Sequence, residues 1–161
     1  MRYTRNTGVI LSELYDQQRR TDSFWYVASA YSSAYKWLRH KRVIQAASFA
    51  GWLLQQGIYI YAPIPHTHTI AEMCDLPKGF DFWEQYDIHM IKNSCGIIVL
   101  CNQGYLQSKG VTHEANACME MNKPIFLATR LRSEAPDYTL AGPAQFDGEH
   151  YLQPEEEVSL A

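Results

Sequence analysis

The residues best suited to chemistry in this sequence lie in a short polar segment at positions 108–114. An apolar run of strand length, 96–101, precedes it, and apolar residues at helical spacing follow it. We therefore expect Ser108 to cap a helix that starts near Gly110, where free backbone N–H groups favour a bound anion. Glu114 would lie half buried and ionised near the helix start, pointing toward the bound group. Alternatively, Glu114 binds nothing and only stabilises the helix start electrostatically.

Asp87 is a second carboxylate that the chain can bring to the same place. Two carboxylates can cleave a glycosidic bond through an oxocarbenium-like transition state, one as nucleophile or charge stabiliser and the other handling a proton or orienting the ring. Tyr26 would form the floor of such a pocket, and Tyr31 and Trp83 its rim, where aromatic rings stack on a base or cover a sugar. Surface carboxylates are common, so the pattern alone makes Asp87 and Glu114 only a candidate pair.

Four apolar runs alternate with three segments of helical periodicity, which is the order of an open α/β domain. The predicted strands are 24–28, 58–62, 96–101 and 124–128, and the predicted helices are 35–56, 81–93 and the one that starts near 110. Prolines place 63–68 in a loop, and 75–79 is a second irregular segment. The predicted fold class is α/β: a single domain with a Rossmann-like (flavodoxin-like) open, mostly parallel sheet flanked by helices.

In such a fold, ligands bind outside the carboxyl ends of the strands, where the following helices begin. This edge collects polar and aromatic residues from three strand ends and from the early turns of the helices. Besides the two carboxylates, the predicted substrate-binding residues are Ser29, Tyr31, His66, His68, Asp81, Trp83, Ser108 and Gly110. We expect them to surround one pocket.

The two ends of the chain differ in composition from its middle. Residues 1–23 are a predicted N-terminal extension, with one helix that packs on the domain or on a partner subunit, and residues 24–128 are the predicted domain. Residues 129–161 contain three prolines, few apolar side chains and an acidic run at 155–157. We therefore expect a loop-rich C-terminal tail there.

Charge and hydropathy exclude several kinds of partner. The 161 residues have a net charge of −3, which argues against a broad nucleic-acid surface and favours a small-molecule ligand. No apolar stretch is long enough to span a bilayer, so we expect a cytoplasmic protein. The four cysteines lack a C-x-x-C pair, which is typical of reduced core thiols in this context. We interpret the basic run at 39–42 as a solvated helix face.

Four segments together resemble a known superfamily. They are Tyr-Val-Ala-Ser-Ala-Tyr at 26–31, Ala-Pro-Ile-Pro-His-Thr-His at 62–68, Asp-Phe-Trp-Glu-Gln-Tyr-Asp at 81–87 and Ser-Lys-Gly-Val-Thr-His-Glu at 108–114. Over about residues 24–128 the chain resembles a little-characterised branch of the nucleoside 2-deoxyribosyltransferase-like superfamily. The last segment is also similar to that of the 2′-deoxynucleoside 5′-phosphate N-hydrolases, which share its Ser-x-Gly-Val-x-x-Glu spacing.

The resemblance implies an N-glycosidase that cleaves the base–sugar bond of a (deoxy)nucleoside 5′-monophosphate, or transfers the sugar to another base. It implies that Glu114 is the nucleophile at the anomeric carbon, that Asp87 orients the sugar or the glutamate, and that Tyr26 hydrogen-bonds near the nucleophile. Ser108 and the Gly110 amide would hold the 5′-phosphate. No cofactor and no metal are expected.

The resemblance also implies how the chain assembles. Members of the superfamily form dimers or higher assemblies in which a neighbouring subunit closes the pocket. The resemblance therefore implies a homo-oligomer. The tail, with Tyr138, Phe146 and Tyr151, is the candidate closing arm. The expected partner is a small-molecule nucleotide or nucleoside, with no nucleic acid and no membrane.

Three alternatives from different classes stay open. Histidines are common metal ligands, and a metal site could use His66, His68, His89 and His113 with Glu72 or Cys74. The same glutamate chemistry could act on NAD or a related dinucleotide. A non-catalytic module that binds or senses nucleotides could keep the pocket without the reaction. Base release from monophosphates but not dinucleotides would separate the two enzymes.

Overall fold

The computed structural model of the chain describes residues 6–132 and 137–152. Within these ranges the helices are α1 (Thr7–Thr21), α2 (Lys36–Gln55), α3 (Pro63–Cys74), α4 (Phe80–Lys92) and α5 (Lys109–Glu120). The strands are β1 (Trp25–Ala28), β2 (Ile60–Tyr61), β3 (Ile97–Leu100), β4 (Ile125–Arg130), β5 (Tyr138–Phe146) and β6 (Tyr151–Leu152). No helix in these ranges has both the length and the apolar character needed to cross a membrane.

The described strands form one sheet in the order β2-β1-β3-β4-β5-β6. Strands β1 to β4 are parallel, and β5 and β6 are antiparallel additions at one edge. The predicted α/β class with an open, mostly parallel sheet is confirmed. Because the strand order reverses between β1 and β3, the loops that follow these two strands diverge there and leave a crevice, which is where open α/β sheets bind ligands.

The sheet is covered on both faces, as its continuous apolar strands require. On one face, Trp25 and Val27 pack with residues of α1 and α2, such as Leu14 and Phe49. On the other face, the alternate strand residues pack with α4 and α5; this cluster contains Tyr26, Ala28, Ile91, Ile97, Val99, Val111, Ala115 and Cys118. The side chain of Tyr26 therefore lies on the α4–α5 face, which is the face of the candidate site.

The N-terminal extension contributes a helix to the domain itself. Ile10 and Leu14 of α1 are fully buried against the sheet. The Gln18 side chain donates to the Gly57 carbonyl over 3.0 Å and accepts from the Tyr59 N–H over 2.6 Å. Helix α1 thus packs on the domain, the first of the two possibilities expected for it, while residues 1–5 lie outside the described residues.

The loop predicted for residues 63–68 is wrong, because these residues form the first turns of α3. Pro63 occupies the first helical position. The first N–H groups of a helix have no partner within the helix, so Pro63 and Pro65 lose no hydrogen bond there. The Thr67 hydroxyl donates to the Pro63 carbonyl over 2.7 Å and reinforces the turn. His66 and His68 therefore lie on a helix.

The loop-rich tail predicted from residue 129 is also wrong where the structure describes it. Strand β5 pairs along β4, and its inward residues alternate with more exposed ones. Tyr138 and Phe146 are 3% and 8% exposed, buried in their own domain, so they are not available as part of a closing arm. Pro143 lies where the β4–β5 register shifts, which lets the strand tolerate it. Residues 153–161, with the acidic run 155–157, lie outside the described residues.

Candidate functional site

The turn before α5 has the predicted geometry. Ser108 is the N-cap of α5, and its hydroxyl accepts a hydrogen bond from the Val111 N–H over 3.3 Å. Gly110 lies in the first turn, so backbone N–H groups at the positive end of the helix face the carboxyl edge of the sheet. This end of α5 can hold an anion, provided that other groups line the same space.

Glu114 is buried beneath this turn, on the face of α5 that packs against the sheet. Only 7% of its surface is exposed. The Tyr26 hydroxyl donates a hydrogen bond to Glu114 Oε1 over 3.0 Å. Strand β1 and helix α5, which are 88 residues apart in sequence at this contact, are thereby joined through two polar groups in an apolar cluster.

The carboxyl group of Glu114 does not have the ionised, half-buried environment expected from the sequence. Burial raises its pKa well above the ordinary value, and the nearby charge of Asp87 raises it further, while the Tyr26 hydroxyl lowers it. The helix N-terminus is too weak to offset removal of the carboxylate from water. The expected half-buried position of Glu114 is therefore wrong, and its buried carboxyl group favours the protonated form more strongly than a free glutamate does.

Asp87 of α4 belongs to the same polar cluster. It is 9% exposed, and burial raises its pKa to about 7, with the Tyr26 hydroxyl acting in the opposite direction. The pKa of Tyr26 is itself raised, by burial first and then by the charges of Glu114 and Asp87. Tyr26, Asp87 and Glu114 therefore form one coupled group of three titratable side chains, which we call the acid cluster.

A pocket opens beside the acid cluster at the carboxyl edge of β1 and β3. Its cavity volume is about 60 Å³, to which the open space at its mouth adds. The lining residues come from the loop after β1, from α3, from α4 and the segment before it, and from the start of α5. They are Ser29, Tyr31, Ser32, Pro63, Ile64, Thr67, His68, Ala71, Lys78, Phe80, Trp83, Asp87 and Ser108.

Six predicted site residues share this pocket: Ser29, Tyr31, His68, Trp83, Asp87 and Ser108. Asp87 is the member of the acid cluster that lines it, whereas Tyr26 and Glu114 lie deeper. The pocket does not bring in three further predicted residues. His66 packs edge-on against Tyr61, Asp81 is exposed in the first turn of α4, and Gly110 faces Phe80.

Several buried polar atoms of this region have no hydrogen-bond partner among the residues that the structure describes. They are Ser29 Oγ, Asp87 Oδ1 and Glu114 Oε2. Unpaired buried polar atoms cost free energy, and in native proteins a water molecule, an ion or a ligand usually pairs with them. Since Ser29 and Asp87 line the pocket, a polar ligand bound there has acceptors and a hydroxyl ready to meet it.

Comparison with known proteins places the chain in a family. The sequence profile described as "Domain of unknown function (DUF1937)" matches residues 23–130. The chain belongs to the DUF1937 family. Its matched segment runs from just before β1 to the end of β4 and includes every residue that lines the pocket. No curated protein matches the chain.

In this DUF1937 domain, sequence reasoning missed Lys78 and Phe80. Both line the pocket: Lys78 lies in the segment between α3 and α4, which was predicted only as irregular, and Phe80 is the first residue of α4. The Phe80 ring packs edge-on against the ring of His113, with centroids 4.9 Å apart. A lysine between a proline and a glycine has no periodicity that indicates which way it points, so no sequence signal identified it.

Arg42 corrects the interpretation of the basic run 39–42 as a solvated face. It is 8% exposed and joins the two loops that frame the pocket. Its guanidinium donates to the Ser32 carbonyl over 2.7 Å and to the Gln103 carbonyl over 3.0 Å. The Asn102 side chain adds a second link, accepting from the Ala30 N–H over 3.3 Å. The loops after β1 and β3 are thus held together by side chains from outside the pocket.

The histidines considered as metal ligands have other neighbours. The His68 ring nitrogen Nδ1 lies 2.6 Å from the Tyr31 hydroxyl, and His113 Nε2 lies 3.1 Å from Glu84 Oε1. Across residues 6–132 and 137–152, no group of three or more His, Cys, Asp or Glu side chains is arranged to hold a metal ion. Cys95 and Cys118 are buried free thiols, as expected, whereas Cys74 is exposed, so the expected core position is wrong for Cys74.

Proposed function

We propose that this DUF1937 protein is an N-glycosidase that cleaves the base–sugar bond of a nucleoside 5′-monophosphate, or transfers the sugar to a second base. The observation that carries the proposal is the acid cluster beside the pocket. Two buried carboxyl groups with raised pKa values share one tyrosine hydroxyl, and the polar atoms Asp87 Oδ1 and Glu114 Oε2 have no partner among the described residues. Such clusters are concentrated at catalytic sites.

The pocket supplies the other contacts that such a substrate needs. Tyr31, Phe80 and Trp83 offer aromatic surfaces for a base. Ser108 and the first turn of α5 offer hydrogen-bond donors for a phosphate. With the phosphate at α5 and the base among the rings, the sugar lies toward Asp87 and the acid cluster beneath it.

The chemistry requires one proton on the two carboxyl groups. In a coupled pair that proton can occupy either group, and the reactive form has Glu114 ionised and Asp87 protonated. A Glu114 oxygen bonds to the anomeric carbon while the carbon–nitrogen bond breaks, and its electron pair stays on the base. Asp87 gives its proton to the departing base, which leaves as the neutral molecule.

The second half of the reaction regenerates the acid cluster. Water attacks the anomeric carbon, the bond to Glu114 breaks with its electrons returning to the carboxylate, and Asp87 takes the proton of the water. The products are the free base and the sugar 5-phosphate. When a second base takes the place of water, the same steps transfer the sugar.

Chromatographic detection of free base tests this proposal. The purified protein is incubated with ribo- and deoxyribonucleosides, their 5′-monophosphates and NAD, beside Glu114→Gln, Asp87→Asn and the control Glu120→Gln, an exposed acid on the same helix as Glu114. We expect base release from monophosphates, retained in the control and lost in Glu114→Gln. Release from NAD alone would favour the dinucleotide glycohydrolase. No release from any compound, with or without an acceptor base, would leave a nucleotide-binding module.

A further inference from the structure

Lys78 is a pocket residue whose charge the proposed reaction does not use. Among the described residues that line the pocket, it is the only lysine or arginine. Its Nζ lies 3.5 Å from Glu72 Oε1, and both side chains are partly exposed, at 33% and 40%. A pair this exposed contributes little to stability, so a stronger anion can replace Glu72 at little cost.

Neighbouring contacts fix the backbone segment that contains Lys78. On one side, the Trp83 indole N–H donates to the Pro77 carbonyl over 2.8 Å. On the other side, the Phe80 ring packs on His113, and a Cβ at Gly110 would lie 3.9 Å from Phe80 Cδ2. The segment that contains Lys78 is therefore fixed between α4 and the first turn of α5.

Further positive charges from α2 act on the same side of the pocket. Burial lowers the pKa of His68 most, the charge of Glu72 raises it, and the nearby side chains of His40, Lys78 and Arg39 lower it. Lys36 and Lys78 help to lower the pKa of Glu72. Several positively charged side chains therefore surround Glu72 at this wall of the pocket.

A separate observation indicates that the pocket receives a polar ligand. Ser29 is 6% exposed, lines the pocket, and its hydroxyl has no hydrogen-bond partner among the described residues. Ser108, at the α5 end of the same pocket, keeps its hydroxyl proton free to donate because that oxygen accepts from the Val111 N–H. The lining thus combines a cation, a helix N-terminus and the hydroxyl groups of Ser29 and Ser108.

We propose that Lys78 is the specificity-determining residue for phosphorylated substrates, and that a 5′-phosphate replaces Glu72 as its partner. This inference rests on the proposed function and deepens it. An ammonium group is a point charge that binds phosphate without demanding one geometry, and charge-assisted hydrogen bonds are about twice as strong as neutral ones. Lys78 therefore distinguishes a nucleoside 5′-monophosphate from the nucleoside, and it leaves recognition of base and sugar to other residues.

Matched ligand pairs and matched variants test the role of Lys78. Affinities for thymidine and 2′-deoxyadenosine and for their 5′-monophosphates are measured by calorimetry, and kcat/KM for base release is measured in parallel. The variants are Lys78→Met, Lys78→Arg and Glu72→Gln, with Lys41→Met as a control at an exposed lysine of α2.

We expect Lys78→Met to reduce the preference for the monophosphate over the nucleoside by about tenfold, a discounted figure for a partly exposed charged hydrogen bond. Lys78→Arg keeps most of the preference because it keeps the charge. Glu72→Gln raises the preference by about two- to threefold, since the competing exposed pair is weak. Lys41→Met leaves it unchanged. Affinity for the nucleosides stays within about twofold in every variant, because none of these side chains contacts base or sugar.

The calorimetric arm separates this inference from the proposed reaction. If the wild type prefers monophosphates, Lys78→Met loses that preference and no base is released, the selectivity role stands and the glycosidase does not. If base is released but Lys78→Met keeps the wild-type preference, the reaction stands and the role of Lys78 is refuted. A wild-type protein that does not bind monophosphates more tightly than nucleosides, including one that binds neither, also refutes it.

Discussion

The stability of Asp87→Asn relative to the wild type should increase as the pH rises to neutrality and above. Asp87 is nine-tenths buried, and its pKa is raised from the ordinary 3.8 to about 7 by that burial. A group whose folded-state pKa is raised binds its proton more tightly when folded. Its contribution to the free energy of unfolding is complete below the unfolded pKa and is lost as the pH rises through the folded pKa. The window is therefore about pH 4 to 7.

The size of the effect follows from the two pKa values. Each pKa unit corresponds to about 1.4 kcal/mol, so full ionisation of buried Asp87 costs the folded state about 4 kcal/mol. Integration between pH 5 and pH 8 gives a loss of about 2.5 kcal/mol, because part of the window lies below pH 5. The amide group introduced by Asp87→Asn does not titrate, so its own desolvation cost is the same at both pH values.

Urea unfolding of the wild type, Asp87→Asn and the control Glu120→Gln at both pH values measures this difference. From pH 5 to pH 8, the stability of Asp87→Asn relative to wild type should rise by about 2.5 kcal/mol, while that of Glu120→Gln stays constant within about 0.5 kcal/mol. Removal of the Asp87 charge also lessens the rise in the pKa of Glu114, which acts in the same direction. A relative stability of Asp87→Asn that does not change with pH would refute a buried, destabilised carboxylate at this position.

Other predictions follow from the same contacts. The rate of base release should fall at high pH, as the last proton leaves Asp87 and Glu114, and at low pH, as the pair binds a second proton; a rate that only rises with pH would contradict the shared proton. Tyr26→Phe should lower kcat and move the alkaline limb of the pH–rate profile to higher pH, because the hydroxyl lowers both carboxyl pKa values; an alkaline limb at the wild-type pH would refute the coupling. Arg42→Met should cost about 2 to 3 kcal/mol in urea unfolding because it removes the hydrogen bonds that the buried guanidinium donates to the two loops, while Lys41→Met costs less than about 0.5 kcal/mol; equal effects would contradict the loop link.

The sequence predicted the parallel core well because the relevant signals are local. Continuous apolar runs at 96–101 and 124–128 have the length and composition of strands buried on both faces, and Ser108 before helical periodicity is a direct cap signal. Strand β5 was missed because alternating burial from Tyr138 to Phe146 relies on small residues and a proline, which are typical of a loop. Helix α3 was missed because its two prolines lie in the first turn, the one part of a helix that tolerates them.

The site was predicted less completely than the fold because its chemistry depends on how deeply each side chain is buried. Residue types and strand order brought Asp87 and Ser108 to one pocket, but only the packing of α5 shows that Glu114 lies below the surface. Burial shifts the pKa of a carboxyl group, and the spacing of residues in the sequence does not show how deeply a side chain is buried. Lys78 has no pattern of its own. Its place in the pocket results from the contacts of Phe80 and Trp83 on either side.

The stereochemistry of the reaction shows whether Glu114 is the nucleophile, since attack by Glu114 followed by a second displacement must retain the configuration at the anomeric carbon. The protein is incubated with a nucleoside 5′-monophosphate from which it releases base, in water containing methanol, and NMR gives the anomeric configuration of the methyl glycoside 5-phosphate. We expect base release together with a methyl glycoside of retained configuration, both lost in Glu114→Gln and kept in Glu120→Gln. An inverted product, or the same product from Glu114→Gln, would contradict it.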